Sequence, residues 1–143
     1  NGSKAIPQGG PLFRGQTTFL RWRPQAVTEL VAQVAAGVAE ATELAVIDYD
    51  GSWTGGLDIA ALASHLGGVL YCAYFAPPEQ IGALLAPVKA ALGPTKRLTA
   101  GFQLFHPNLA DPTDLAERVA AAKAHADGLN FYNLGLVPPA RMA

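Results

Sequence analysis

Asp48 and Asp50 are the residues of this chain best placed to do chemistry. They stand two apart at the end of an apolar run, Leu44-Ala45-Val46-Ile47. On a β-strand that spacing puts both side chains on one face, about 7 Å apart. Two carboxylates at such range repel, which raises the pKa of one and makes an acid/base pair. Glycoside hydrolysis uses carboxylate pairs at comparable spacing. Trp53 and Tyr74 offer flat apolar surface for a sugar ring. Gln103, His106, Asn130 and Tyr132 close the later β-rich runs and are the groups that would orient a ligand. The plainer reading is that one Asp caps the Gly51–Gly56 loop, the other is solvated, and strand ends are polar because they meet water.

The same stretch carries a second chemistry. Val46-Ile47-Asp48-Tyr49-Asp50-Gly51-Ser52 resembles the first motif of haloacid-dehalogenase-type phosphatases. That resemblance implies Asp48 as nucleophile on phosphorus and Asp50 as general acid, with Mg²⁺ between them. In that family the motif opens the domain, whereas here a strand and a long helix are expected before it. The family's late acidic metal motif has no counterpart; Ala126-Asp127-Gly128 does not supply it. Gly51-Ser52-Trp53-Thr54-Gly55-Gly56 lies between strand and helix, where phosphate loops occur, but has neither the P-loop Lys nor the G-x-G-x-x-G spacing. The three histidines do not share a metal-ligand spacing, and no metal or cofactor is expected. His65 and His125 belong to helical stretches, and only His106 stands at a strand end. Cys72, the single cysteine, reads as a small buried hydrophobe in an apolar strand.

The elements that must position these residues follow from periodicity. Leu44–Asp50, Val69–Phe75, Leu98–Phe105 and Leu129–Leu134 are short β-rich runs, each followed or preceded by helical pattern. Thr17–Trp22 reads as a further short strand, and Pro24 as the first residue of a helix with Val27, Leu30, Val31, Val34 and Val38 along it. Gly67-Gly68 and Gly93-Pro94 end helices, while Asp111 and Pro112 open one. Residues 1–15 are a Gly- and Pro-rich lead-in, and 16–143 form a single β/α domain. Val137–Ala143 reads as the start of another helix. The expected fold is α/β with about five parallel strands and four intervening helices. It is either part of a (β/α)8 barrel or an open doubly wound sheet. A full barrel needs roughly 200 residues or more, so strands four to eight of one would fit.

Gly128–Gly135 with Pro138-Pro139 and Arg141, and Gly101–Phe105 before them, resemble the last two strands of bacterial glycoside-hydrolase-like TIM barrels. The resemblance covers the C-terminal half. It implies a carbohydrate or other small polar ligand at the carboxyl ends of the strands, with Asp50 and Asp48 as acid/base candidates. No Glu lies at any strand end, where most glycosidases of this fold place at least one. A partial barrel exposes strand edges, so it is expected to pair with itself or with a missing N-terminal half, and a non-catalytic self-associating module is the remaining alternative.

Composition excludes several classes. With 143 residues, half of them hydrophobic and 15% charged, the chain can build one real core and is not globally disordered. Net charge is −1 and the ten Lys and Arg are scattered, so no nucleic-acid footprint is present. No uncharged apolar run reaches membrane-spanning length. The first residues carry no signal-peptide apolar segment, which leaves cytoplasm as the default expectation.

Overall fold

The computed structural model describes residues 17–39, 41–49, 51, 56–104 and 112–133. In chain order these form helix α1 (Thr17–Gly37), strand β1 (Ala45–Asp48), helix α2 (Ile59–Leu62) running into a 3-10 turn (Ala63–His65), β2 (Gly68–Cys72), α3 (Pro78–Leu92), β3 (Arg97–Gln103), α4 (Pro112–Lys123) and β4 (Gly128–Tyr132). The expected 1–15 lead-in, the Asp111 cap and the helix beginning at Val137 lie outside the described residues.

Among the described residues all strand pairings are parallel, and the order is β1-β2-β3-β4, each strand beside the next in sequence. The expectation of an α/β fold with a parallel sheet holds; the expectation of about five strands does not, because four are found among the described residues. The strand expected at Thr17–Trp22 is the beginning of α1 instead. Its β-branched and aromatic residues match strand propensity, which is a weak determinant against packing. Leu20, Val27 and Val31 are spaced by seven and four, so Leu20 extends the helical stripe. Leu20 is buried and Val31 packs against the core. Pro24 therefore sits inside the helix rather than at its start. It has no N–H to give the Leu20 carbonyl, while the Thr28 hydroxyl donates to the Pro24 carbonyl at 2.8 Å.

Register sorts the strand residues onto two faces. Val46, Val69, Tyr71, Leu98, Ala100, Phe102 and Leu129 share one face, and all belong to or pack on the core with Leu62, Leu66, Ile81, Leu85 and Leu92 of the helical layer. Ile47, Leu70, Thr99 and Asn130 occupy the other face and none joins that core. The helices and the sheet thus make two layers with the core between them. Gly68 is required where β2 starts, since a Cβ there would stand 2.6 Å from the Arg97 carbonyl oxygen.

Candidate functional site

The carboxyl ends of all four strands lie along one rim, as parallel pairing demands. Tyr132 of β4 is the register partner of Gln103 of β3, and Asn130 partners Gly101, so Gln103, Asn130 and Tyr132 share the face away from the core. Tyr74, just past β2 and in step with Leu70 and Cys72, lies on the same face. Its ring stacks on Tyr132, centroids 5.9 Å apart and planes 16° apart. Tyr49, just past β1, meets Tyr74 edge-on at 5.7 Å and Phe75 at 6.1 Å. An aromatic row therefore crosses the rim from β1 to β4. Its centre is buried (Tyr74, 7% exposed), and its flanks are open (Tyr49 53%, Tyr132 48%). The peptide bond leading out of Tyr132 is cis.

Two neighbours fix the centre of the row. Burial, then a hydrogen bond shared with Cys72, raises the Tyr74 hydroxyl above its ordinary pKa. Burial raises the Cys72 thiol too, and outweighs the lowering from Tyr74. From the helical layer, Arg118 of α4 sends Nη1 to the Tyr74 carbonyl at 3.4 Å, and its Nε donates to Asp114 one turn earlier at 3.0 Å. That ion pair is largely enclosed, so it fixes the guanidinium more firmly than a surface pair would.

Asp48 stands apart from this group. It is the register partner of Tyr71 and shares the core-side face with Val46. It is 4% exposed and accepts a hydrogen bond from the Gly51 N–H at 2.8 Å. Gly51 has a φ of 61°, and a Cβ there would come within 2.6 Å of the Tyr71 hydroxyl. Asp48, Gly51 and Tyr71 thus lock the turn that follows β1. Asp50, Trp53 and His106 lie outside the described residues, so the expected Asp48–Asp50 pair has one described member.

Of the residues singled out from sequence, the structure brings together Tyr74, Gln103, Asn130 and Tyr132 on one face. Tyr49 and Phe75 were missed as members of this surface. The signal for Tyr49 was the strand period itself: Tyr49 alternates with Asp48 and falls in step with exposed Ile47. Among the described residues no cluster of His, Cys, Asp and Glu could hold a metal ion. No helix among them is long and apolar enough to cross a membrane. A cleft of about 570 Å³ opens at the opposite end, between the C-terminal ends of α3 and α4, but its Lys89 is committed to Asp127 and to the Lys96 carbonyl. No protein-family model, curated protein or solved structure matches the chain.

Proposed function

We propose that this chain is a portion of a glycoside-hydrolase-like barrel whose strand C-terminal rim binds a carbohydrate or another small polar ligand. The observation that carries the reading is the Tyr49–Tyr74–Tyr132 row with Gln103 beside it in register. Aromatic faces give a sugar ring apolar surface to pack on, and amides give its hydroxyls partners. The winding favours a barrel over a doubly wound sheet. Strand order does not reverse among the four strands, and the core lies on one face, as in a sheet whose helices all form an outer ring.

Turnover, on this reading, rests on Asp50 as the acid/base group, with His106 and Trp53 as ligand-binding candidates; Asp48, buried on the core side and accepting from the Gly51 N–H, is not its partner. Its test is hydrolysis of aryl glycosides, lost in Asp50→Asn. Binding is tested separately on a glycan array. Tyr132→Ala is expected to weaken the signal about fivefold or more, because stacking on one ring is worth roughly 1 kcal/mol beyond its area. A uniform blank for the unaltered chain ends the carbohydrate reading. The phosphatase alternative has less behind it: among the described residues β1 is an outer strand, and Asp48 packs toward the helices. Mg²⁺-dependent release of phosphate from an aryl phosphate, abolished by Asp48→Asn, would restore it. The outer strands also lead us to infer that the chain pairs with a further β/α unit, a second copy being the simplest.

A further inference from the structure

We propose that the exposed face of α1 is an interaction surface and that its occupant is the β4 end of a second copy of this chain; this rests on the reading above that the chain pairs with a further β/α unit. α1 carries two apolar stripes. Leu20 and Val31 belong to the one turned toward the core. Phe19, Trp22, Leu30 and Val34, with Ala26 among them, recur at steps of three and four and form the other. This second stripe is open: Phe19 and Trp22 are each 55% exposed, Leu30 61% and Val34 44%. The Phe19 and Trp22 rings pack on each other with centroids 5.9 Å apart, so the stripe begins as one aromatic surface. The four side chains offer on the order of 400 Å² of apolar area, a patch of the size that marks interaction sites.

The occupant follows from the order of the two layers. The helices lie side by side as α1-α2-α3-α4, in the order of the strands. α2, α3 and α4 each join two neighbouring strands, and a right-handed crossover lays such a helix over the seam between them. α1 leads into β1 and lies beside α2 and its 3-10 turn. It therefore overhangs the outer side of β1, over a seam to which β1 supplies one strand. The β4 end is its match. Phe131 is the register partner of Phe102, on the helix side of the sheet, with its ring 6.5 Å from that of Phe102. It is still 44% exposed. When β4 of one copy lies parallel to β1 of the next, α1 of the next copy falls over the new seam, beside Phe131 and α4. The new seam then repeats the arrangement of the three within each copy. The α1 stripe is continuous with the β1 edge, and the two together approach the roughly 800 Å² per partner that a stable interface buries.

Sedimentation velocity of the full chain over a range of concentrations tests this with three variants. Trp22→Glu and Leu30→Glu place a charge on the exposed stripe of α1. Phe131→Thr removes the ring from β4 and keeps a strand-forming residue. Circular dichroism checks that each variant folds. Each is expected to weaken association about tenfold, since a charge or a lost ring in an apolar contact costs on that order. An equimolar mixture of Trp22→Glu with Phe131→Thr is expected to recover a dimer, because each copy supplies the end the other lacks and one seam stays intact. Association that neither Trp22→Glu nor Leu30→Glu changes overturns the surface and leaves self-pairing in place. Loss of association in the α1 variants but not in Phe131→Thr means that α1 pairs with α1 of the second copy, which overturns the occupant. A mixture that recovers no dimer overturns it too. A chain monomeric at every concentration overturns both the surface and the self-pairing it rests on.

Discussion

Asp127 holds the amino end of the sheet together, and its behaviour with pH can be worked out from its partners. Its Oδ2 accepts from the Leu98 N–H at 2.8 Å and from Lys89 Nζ at 2.7 Å, and its own N–H donates to the Leu98 carbonyl. The Leu98 hydrogen bond first, and Lys89 second, hold its carboxyl below the usual range. A carboxyl whose folded pKa is depressed adds stability above its unfolded value of about 3.9 and loses it as pH falls through the folded one. Asp127→Asn is therefore expected to lower stability near pH 7 by about 1 kcal/mol, the side chain being 45% exposed and partly screened. Urea titrations at about pH 7, 4 and 2 should show the gap closing on the acid side; a gap constant with pH would remove the charge from the account. Nothing in the sequence pairs Asp127 with Lys89, 38 residues away. By contrast, the gathering of Tyr74, Gln103, Asn130 and Tyr132 was legible, because parallel strands bring their carboxyl ends to one rim. What misled was treating Asp48 as part of that surface. The two-residue strand period that puts Asp48 in step with Asp50 also puts it in step with Val46, which packs on the core.

At the scale of elements, α1 is where local pattern and fold disagree, and Pro24 makes the disagreement measurable. If a helix began at Pro24, the proline would sit where its missing N–H costs nothing, and replacing it would gain little. In a helix running from Thr17 to Gly37 it removes a hydrogen bond and crowds the carbonyl of Leu20, a cost of up to about 3 kcal/mol. Pro24→Ala is expected to raise the unfolding midpoint, read by thermal and urea denaturation, and to increase helical circular dichroism. No change would return the helix start to Pro24. The other strands and helices were readable from sequence for a physical reason. Each is short, bounded by Gly, Pro or a cap, and packed on the face that its periodicity marks. Thr17–Trp22 has strand-like residues but no strand to pair with, since β1 has β2 as its one bonded neighbour among the described residues. Pairing is a property of the whole sheet, and a six-residue window does not contain it.

At the scale of the whole molecule, the described residues form a parallel sheet with two outer strands and a layer of helices, and that geometry bears on how the protein behaves in solution. Among the described residues β1 is bonded to β2 alone and β4 to β3 alone, leaving a row of backbone donors and acceptors on each outer side. Such edges pair with other strands unless charge, proline or a covering element blunts them. Both here carry exposed apolar side chains, Ile47 on β1 (68% exposed) and Phe131 on β4. A parallel sheet also differs from an antiparallel one in having dissimilar edges, so β4 of one copy can meet β1 of another with all strands aligned. Two copies placed around a two-fold axis along the strands would complete both edges at eight strands, the number at which a β/α sheet closes into a barrel. The expected outcome is concentration-dependent association in sedimentation velocity, with a dimer as the limiting species. Ile47→Lys places a charge on the β1 edge without touching the core, and is expected to weaken association about tenfold at unchanged circular dichroism. A chain that stays monomeric throughout would mean that its edges are covered, and the self-pairing reading would fall. A ladder of ever larger species would point instead to open head-to-tail addition of β4 to β1, in which the rotation between copies does not close.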